Sequence, residues 1–348
     1  MLKLDRPPES VCILRLSAIG DVIHTVPILR TLQATWPNTR FTWIVGKLEA
    51  TLIGDIPNVE FIIFDKSQGR KAHRQLQLDL AGREFDVLLM LQVALRASLA
   101  SRYIKAKTRI GFDRARAKDF QWLFSDQKID QALNEHVMDG LFGFCETLGI
   151  KHRVVDWHIP IPDKDLKYAQ KIIANKPTVI ISPCSSQRSR NFRNWSVDNY
   201  VQVCNKLIAE DFQILLTGGP SELEQEYGKL ILASCNSKAI QNQIGQTTLK
   251  QLYALIKNAN LVIAPDSGPV HMANSAQTPC IGLYAGSNPL RTGPYHYQHL
   301  VVNKYPQAAR QYLYKEAEDL KWGQRVRHPE VMTQIQVEDV IEKLNAII

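Results

Sequence analysis

The sequence predicts an α/β protein of two domains, each a parallel sheet with helices on both of its faces. The chain of 348 residues exceeds what one hydrophobic core usually fills. Short apolar runs typical of strands alternate along it with amphipathic helical segments. This alternation stops in a polar stretch, residues 160–177, and restarts at Thr178. Because successive strand–helix–strand units build parallel sheets, we expect one sheet before this stretch and one after it.

Five strands are expected in the first half, over residues 11–16, 41–45, 61–64, 87–91 and, most weakly, 109–112. A helix follows the first strand, because Val22, Val26 and Leu29 recur on one helical face. Pro27 lies within this pattern and is expected to kink or delay the helix, since proline has no amide hydrogen to donate. A helix over residues 137–148 closes this half.

The second half repeats the pattern. Its expected strands cover residues 178–182, 212–217, 261–264 and 280–284, and its helices cover 197–208, 222–233, 249–256 and 337–347. We therefore expect a first domain over residues 1–162, a linker over 163–177 that carries a short helix, and a second domain over 178–348. The last helix is a candidate to pack back onto the first domain. Ligands of such sheets bind at the carboxyl ends of strands, so a cleft between the domains is the expected site.

Composition excludes several classes of protein. With 45% hydrophobic and 22% charged residues, the chain is not fibrous, of low complexity or broadly disordered. Its net charge of +8 favours an anionic partner, and nucleic acid, phosphorylated sugars and an acidic membrane surface all stay open. The six cysteines form no CxxC spacing, which disfavours zinc and disulfides and indicates a reducing compartment. Neither a signal peptide nor an apolar run of about 18 residues is visible, so we expect no membrane span.

The first motif, residues 15–24, follows the first strand and contains Ser17, Gly20 and Asp21. Glycine lets the backbone approach a ligand closely. An aspartate at a helix start can satisfy free amide groups and favour the helix dipole, which is a structural role. It equally suits a general base that takes a proton from an attacking hydroxyl, and the two roles do not exclude each other. His24 is more often structural at such a place, and the single glycine excludes the dinucleotide-binding GxGxxG pattern.

The second motif, residues 264–271, lies between a strand and a helix and contains Asp266, Ser267, Gly268 and His271. Consecutive amide groups at such a turn form an anion site, to which the helix dipole adds. Ser267 and Gly268 suit close approach to a phosphate, and Asp266 suits sugar hydroxyls. The structural alternative is a tight turn with an aspartate cap. Such a turn does not need the histidine.

The third motif follows the first strand of the second half and contains Ser185, Ser186, Arg188, Arg190 and Arg193. Guanidinium groups beside hydroxyls suit a diphosphate. The structural alternative is a solvated basic loop. Its place after a strand weighs against that alternative.

The fourth motif is a further strand-to-helix turn with Thr217, Gly218, Gly219 and Glu222. Its glycines suit an approaching ribose or base, and Glu222 suits ribose hydroxyls. Taken alone it is a weak signal, because Gly-Gly-Pro is also a common loop.

The fifth feature is a basic run between positions 96 and 118, which holds eight basic residues and one acidic residue, Asp113. Such a run is usually a solvated face, but on one side of a cleft it favours an anionic acceptor. Because Tyr103 and Phe112 are its main aromatic residues, stacked nucleic acid is disfavoured. The candidates for acceptor binding in this run are Arg96, Arg114, Arg116 and Lys118.

These motifs resemble those of the bacterial lipopolysaccharide heptosyltransferases, which form glycosyltransferase family 9. The resemblance is carried by residues 16–24, 264–271 and 282–289, and it covers nearly the whole chain with motif order and spacing kept. Within the family, the LSAIGD start and residues 288–291 look most like heptosyltransferase I, which acts on a single phosphorylated Kdo.

The resemblance implies the GT-B fold, in which two Rossmann-like domains with parallel sheets face each other across a cleft. The first domain would bind the acceptor, phosphorylated Kdo–lipid A, and the second would bind ADP-heptose. Transfer of L-glycero-D-manno-heptose would invert the anomeric carbon and need no metal ion or other cofactor. The enzyme would be cytoplasmic and peripheral to the anionic inner face of the membrane, in lipopolysaccharide inner-core biosynthesis.

Residue roles follow from the same resemblance. Asp21 matches the catalytic base, with Ser17 and Gly20 beside it expected at the acceptor. From the motifs and the resemblance together, the residues expected to bind the donor are Ser185, Ser186, Arg193, Thr217, Gly218, Glu222, Asp266, Ser267, Gly268 and His271. Arg193 stands where heptosyltransferase I often has lysine, which keeps the charge but changes the geometry. Arg190 could serve instead.

Two other functions stay open at this point. A nucleic-acid-binding protein would explain the pI near 9.1 and the basic run, but it leaves the motifs around Asp21 and Asp266 unexplained. A GT-B transferase with another nucleotide-sugar donor, or a nucleotide-sugar epimerase, would explain those motifs. A dehydrogenase is disfavoured by the missing glycine pattern.

Overall fold

Parallel sheets form the centres of two compact units, Met1–Pro160 and Ile161–Ile348. The structure, a computed structural model, describes residues 6–173, 176–185 and 191–347. The expected α/β class is confirmed in both units.

The first unit is built on six parallel strands in the order β3-β2-β1-β4-β5-β6. Its strands are β1 (Ser10–Leu14), β2 (Arg40–Gly46), β3 (Val59–Phe64), β4 (Phe85–Met90), β5 (Ala106–Gly111) and β6 (Gln127–Lys128). Its helices are α1 (Ile19–Thr35), α2 (Lys47–Ile53), α3 (Arg70–Asp79), α4 (Leu95–Ser101) and α5 (Val137–Thr147). All of β1 is buried, because helices cover both faces of a parallel sheet. Cys12 at its centre pairs with Thr42 on one side and Leu88 on the other.

Helix α1 continues through Pro27, so the proline does not delay the helix. Proline cannot donate to the carbonyl four residues earlier, which is that of Ile23. The indole Nε1 of Trp157 donates to this carbonyl instead, at 3.0 Å, and both residues are buried. A side chain from the end of the first unit thus replaces the missing helical hydrogen bond.

The second unit repeats the arrangement with the order β12-β11-β10-β7-β8-β9, again parallel throughout. Its strands are β7 (Thr178–Ile181), β8 (Gln213–Leu216), β9 (Ile240–Asn242), β10 (Leu261–Pro265), β11 (Cys280–Tyr284) and β12 (Val302–Asn303). Its helices are α6 (Asp163–Ile173), α7 (Val197–Ala209), α8 (Glu222–Cys235), α9 (Leu249–Asn258), α10 (Gly268–Ala276), α11 (Pro289–Thr292), α12 (Tyr305–Leu313) and α13 (Val337–Asn345). The edge strands β6, β9 and β12 were not expected, because two or three residues carry no periodic signal.

Two segments at the ends of the second unit belong to its packing. Helix α6, in the stretch expected to be a linker, packs against α9 and buries Ala169 and Ile173. The final helix α13 packs against α7, β11 and β12, and its Val340 and Leu344 join the core of this unit.

The cysteines are buried single thiols rather than disulfides, apart from the half-buried Cys235. Burial raises the pKa of Cys145 and of Cys184 to about 12, which keeps both thiols protonated. Over the described part of the chain, no helix is both long and apolar enough to cross a membrane.

Candidate functional site

Both sheets have the strand order in which the first strand of each unit lies in the middle, so the order reverses between β1 and β4 and between β7 and β10. Ligands of such sheets bind beyond the carboxyl ends of the strands at this reversal. The loops that follow β1, β4, β7 and β10 are therefore where site residues are expected, and each unit is considered separately.

In the first unit, the carboxylate of Asp21 is held by two donors and still reaches solvent. Its Oδ2 lies 2.6 Å from a guanidinium nitrogen of Arg15 and accepts from the backbone amide of Ala18 at 3.2 Å. Arg15 is 9% exposed and Asp21 is 40% exposed. The Arg15 guanidinium fixes the direction of the carboxylate, and the amide contact supports the start of α1. Asp21 therefore has its structural role and also presents an oriented carboxylate to solvent.

The loop before Asp21 is held by Gln92, which follows β4. The side-chain oxygen of Gln92 accepts from the amides of Leu16 (2.7 Å) and Ser17 (3.3 Å), and its nitrogen donates to the Ser17 hydroxyl at 3.3 Å. A Cβ at Gly46 would lie 2.4 Å from the carbonyl oxygen of Leu16, so this position needs glycine. Gly46 at the end of β2 and Gln92 after β4 thus both pack against the loop that leads from β1 to Asp21.

The basic run does not form one uniform patch. Arg116 makes ion pairs with Asp113 and Glu135, which neutralise its charge. Arg109 is partly buried and donates to the backbone carbonyls of Ser101, Ile104 and Phe124, which is a structural use of its guanidinium. The basic side chains of the run that remain exposed are Arg96, Arg102, Lys105, Lys107, Arg114 and Lys118. The acceptor-binding role expected of Arg116 thus competes with two carboxylates, whereas Arg96, Arg114 and Lys118 stay open to a ligand.

In the second unit, the loop after β7 is a network of hydroxyls and amides. The Ser182 and Thr217 hydroxyls, which follow neighbouring strands, lie 2.6 Å apart in the interior. Asn191 Nδ2 donates to the Ser185 hydroxyl at 2.7 Å, and Asn194 Oδ1 accepts from the Ser185 amide at 2.9 Å. Ser185 is therefore placed by its neighbours, as a phosphate-binding hydroxyl must be. Ser186, Arg188 and Arg190 lie outside the described residues.

Arg193 and Asp266 connect the loops after β7 and β10. Arg193 Nη1 donates to the Asp266 backbone carbonyl at 2.6 Å and lies 3.2 Å from its carboxylate, and Arg193 Nε donates to Asn191 Oδ1 at 3.0 Å. The Ser287 hydroxyl, after β11, donates to the same carboxylate at 2.7 Å, and Arg325 lies 3.9 Å from it. Asp266 thus holds two cations at the carboxyl edge of this sheet rather than presenting a free carboxylate.

Helix α10 begins beside this ion pair. Gly268 is its first residue, and the Ser267 hydroxyl donates to the carbonyl of Pro265 at 2.9 Å. His271 is buried in the second turn. The helix amino end adds positive potential where the guanidinium groups of Arg193 and Arg325 already lie.

The glycine turn after β8 is organised by Glu224 and not by Glu222. Glu224 accepts from the amide of Gly219 at 2.8 Å and from the Ser221 hydroxyl at 2.6 Å, and a Cβ at Gly218 would lie 3.0 Å from it. Glu222 is exposed on the first turn of α8. The third helical position faces back to the cap, whereas the first faces away, so spacing from the Ser221 cap would have favoured Glu224.

Several residues of these sites were not among the sequence candidates. They are Arg15, Gln92, Asn191, Asn194, Glu224, Ser287 and Arg325. Arg15 and Ser287 lie inside conspicuous motifs and could have been selected there. Gln92 comes from the loop after β4, the strand that pairs with β1. Arg325 comes from a loop whose Val326 amide donates to the carbonyl of Gly286, after β11. Among the described residues, no three histidine, cysteine or acidic side chains are grouped as metal ligands would be.

Two sequence matches relate this chain to a known protein family. Residues 73–320 match the profile of glycosyltransferase family 9 (heptosyltransferase). The lipopolysaccharide core heptosyltransferase OpsX of Haemophilus influenzae is 39% identical over 341 residues, which is 98% of this chain and 97% of that protein.

Solved structures of other proteins have the same fold as this chain. A family 9 glycosyl transferase from Veillonella parvula has a TM-score of 0.79 at 20% identity, with 97% of each chain covered. The Escherichia coli heptosyltransferase WaaC with ADP has a TM-score of 0.74 at 18% identity, with 97% of this chain and 100% of that chain covered. These likenesses show the GT-B fold. Together with the sequence matches, they lead to one conclusion: the chain belongs to glycosyltransferase family 9 and is a glycosyltransferase.

Proposed function

We propose that the protein transfers L-glycero-D-manno-heptose from ADP-heptose to the phosphorylated Kdo of Kdo–lipid A during assembly of the lipopolysaccharide inner core. The 39% identity to OpsX over nearly the whole chain supports heptosyl transfer to the core. The observation that carries the proposal is Asp21, a carboxylate that Arg15 orients at 2.6 Å and that is 40% exposed beyond β1.

The donor would be held by the second unit. ADP carries a diphosphate, which the guanidinium groups of Arg193 and Arg325 and the amino end of α10 can pair with. Among the described residues, the contacts of Arg193 with Asp266 and Asn191 use Nε and Nη1, which leaves Nη2 for a phosphate oxygen. Ser185, Thr217 and the amides of the Gly218 turn would contact the phosphates and ribose.

The acceptor would be held by the first unit. Arg96, Arg114 and Lys118 are exposed cations that suit a phosphorylated Kdo, with Ser17 and Gly20 next to the base. The anionic inner face of the cytoplasmic membrane, where such an acceptor is anchored, is the expected place of work.

In the reaction, a Kdo hydroxyl oxygen attacks the anomeric carbon of the heptose from the face opposite the diphosphate. The bond from that carbon to the phosphate oxygen breaks and ADP leaves, so the configuration inverts. Asp21 takes the proton of the hydroxyl as its oxygen forms the new bond, while Arg15 keeps the carboxylate in place. Arg193 and His271 would stabilise the negative charge that develops on the departing diphosphate.

Replacing Asp21 by asparagine tests the base. General-base removal should lower the turnover by about a hundredfold or more. The affinity for ADP-heptose, measured by calorimetry, should stay within about twofold, because the donor site is in the other unit. Turnover is measured with ADP-heptose and Kdo–lipid A, and ADP-glucose and UDP-GlcNAc serve as alternative donors.

The matched control is Glu84→Gln, which removes an exposed carboxylate that lies before β4 and outside the site. It should keep full turnover. Near-normal turnover of the Asp21 variant would contradict the assignment of the base. Transfer from another donor in preference to ADP-heptose would contradict the proposed substrate.

Metal dependence is tested separately. We expect full turnover in excess chelator, because arginine side chains and helix amides take the part of a metal ion at the diphosphate. Turnover is compared with and without chelator, and then with Mg²⁺ added back. Loss of activity in chelator with rescue by Mg²⁺ would contradict a metal-independent reaction.

A further inference from the structure

Helix α4 has its large apolar side chains on the outside. The small residues Ala97, Ser98, Ala100 and Ser101 are buried against the sheet. Leu95 is 50% exposed and Leu99, one turn later, is 37% exposed. A surface helix normally turns its leucines inward, because burial of apolar surface stabilises the fold. This inverted pattern leaves an apolar stripe facing solvent.

The loop after β5 adds further exposed apolar side chains. Phe120 is 61% exposed and Leu123 is 71% exposed, while Gln121 between them is fully buried. The backbone at Asp119 and Phe120 is left-handed, with φ of 50° and 60°. For residues with a Cβ atom, this conformation is unfavourable and is kept where the surrounding structure imposes it. Here it directs a phenylalanine ring outward.

The helix and the loop are fastened into one surface. The amide of Leu95 donates to Asp119 Oδ2 at 3.1 Å. The buried Gln121 donates to the carbonyls of Met90 and Gln92, both at 3.0 Å. Arg109 donates to carbonyls at the end of α4 and at Phe124. The α4 surface, which we define as residues 95–105 and 112–123, is therefore a single face of the first unit.

Exposed cations surround the apolar side chains. Those of the α4 surface are Arg96, Arg102, Lys105, Arg114 and Lys118. Arg114 stacks on Trp122 with its guanidinium carbon 3.3 Å from the ring centroid. Of the two acidic residues here, Asp113 is buried against Arg116 and Asp119 receives the amide of Leu95. The face is thus apolar and positively charged at once.

We propose that the α4 surface docks the enzyme on an anionic phospholipid bilayer, a proposal that rests on the proposed function because the acceptor is a lipid. Leucine and phenylalanine side chains enter the boundary between headgroups and acyl chains, while arginine and lysine pair with anionic headgroups. Tyr103 and Trp122 suit the same boundary, because each has an apolar ring and a polar group. A nucleic acid would pair with the cations of this surface but would not bury its leucine side chains, so a bilayer fits the surface better.

The experiment measures sedimentation of the full-length protein with vesicles. Vesicles of phosphatidylglycerol and phosphatidylethanolamine are compared with vesicles of phosphatidylcholine alone, at low and high salt. We expect binding to the anionic vesicles, weaker binding at high salt and little binding to phosphatidylcholine.

Two variants test the surface. Leu95→Ser with Leu99→Ser should lower the vesicle partition coefficient about tenfold, through loss of the apolar contact. Arg102→Glu should lower it about twentyfold, since each cation near the membrane surface contributes about 1 kcal/mol and the reversal removes one and adds a repulsion. The matched controls are Leu230→Ser and Lys229→Glu on α8, which change equally exposed residues elsewhere and should bind as the unchanged protein. Thermal unfolding checks that every variant is folded.

The outcomes separate this proposal from the proposed function. Vesicle binding that ignores lipid charge, or leucine variants that bind as well as their controls, would overturn the docking surface. A protein that transfers heptose to a deacylated, water-soluble acceptor and binds no vesicles would retain the function and lose the docking. A protein that binds vesicles through α4 but transfers no heptose would support the docking surface and contradict the proposed function.

Discussion

Arg193 is the residue that connects the loops of the proposed donor site in the second unit. Its guanidinium contacts Asn191 on its own loop and both the backbone and carboxylate of Asp266 after β10. Asp266 also receives the Ser287 hydroxyl from the loop after β11. A lysine has one terminal nitrogen on a flexible chain and cannot make the Nε and Nη1 contacts together. Arginine therefore supplies the spacing of two hydrogen-bond donors as well as a positive charge.

Replacing Arg193 by lysine should therefore weaken ADP binding although the charge is kept. We expect the dissociation constant for ADP, measured by calorimetry, to rise about tenfold or more, because a charge-assisted hydrogen bond contributes about 1.5–3 kcal/mol. Arg327→Lys, at an exposed position two residues from Arg325, is the matched control and should bind ADP normally. An unchanged dissociation constant in the Arg193 variant would show that this guanidinium does not hold the diphosphate.

At the scale of elements, α1 depends on a residue that follows α5. Pro27 leaves the carbonyl of Ile23 without its helical donor, and the Trp157 indole supplies one. The start of α1 carries Asp21, so this contact also steadies the helix that presents the proposed base. Local sequence explains the broken hydrogen bond but not its replacement.

A double-mutant cycle tests this pairing. Trp157→Phe should destabilise the protein by about 1–3 kcal/mol in urea unfolding, because it leaves a buried carbonyl without a donor as well as changing the packing. In the Pro27→Ala background the amide of residue 27 can donate to the carbonyl of Ile23 again. The loss of unfolding free energy caused by Trp157→Phe should then be smaller by about 1 kcal/mol.

The control for the cycle is Trp195→Phe, whose indole donates to the carbonyl of Ile335 and shares no partner with Pro27. Trp195→Phe should lower the free energy of unfolding by the same amount in both backgrounds, since the effects of substitutions at independent sites are additive. Equal costs for Trp157→Phe in the two backgrounds would mean that the indole does not replace the helical hydrogen bond.

At the scale of the whole molecule, two sheets with the same strand order have different ligands assigned to their carboxyl edges. The edge of the second unit holds the Arg193–Asp266 pair and the glycine turn, which suit a nucleotide. The edge of the first unit holds an exposed carboxylate and the α4 surface. Under the proposed function, the same architecture would bind two different ligands through differences in its loops.

Hydrogen exchange with ADP tests this division. Protection should appear in the loops after β7, β8, β10 and β11, because bound ligand orders the amides it contacts. Segments 236–239 and 259–260, at the opposite edge of the same sheet, are the internal control and should exchange as before. Protection confined to the first unit would contradict the placement of the donor.

Much of the fold was predictable because its signals are local. Buried strands of four or more residues and amphipathic helices show in their periodicity, whereas edge strands such as β6 and β12 are too short to do so. The motif around Asp21 was predictable as well, since a strand, a turn and a helix start are read in order. The contact of Glu224 with the glycine turn depends on its third place after the Ser221 cap, whereas the role of Glu222 at the ribose stays a prediction.

By itself, the sequence determined the α/β class and the family, because strand and helix periodicity and the family motifs are each carried by residues close together in the chain. Only the tertiary structure decided that Arg15 orients Asp21 and that Asp266 holds Arg193. It also decided that Arg116 is ion-paired with Asp113 and Glu135 while Arg96 and Arg114 stay exposed. Only the structure shows that Leu95 and Leu99 of α4 are exposed to solvent. Exposure and ion pairing depend on distances across neighbouring strands and loops, which the order of residues does not state.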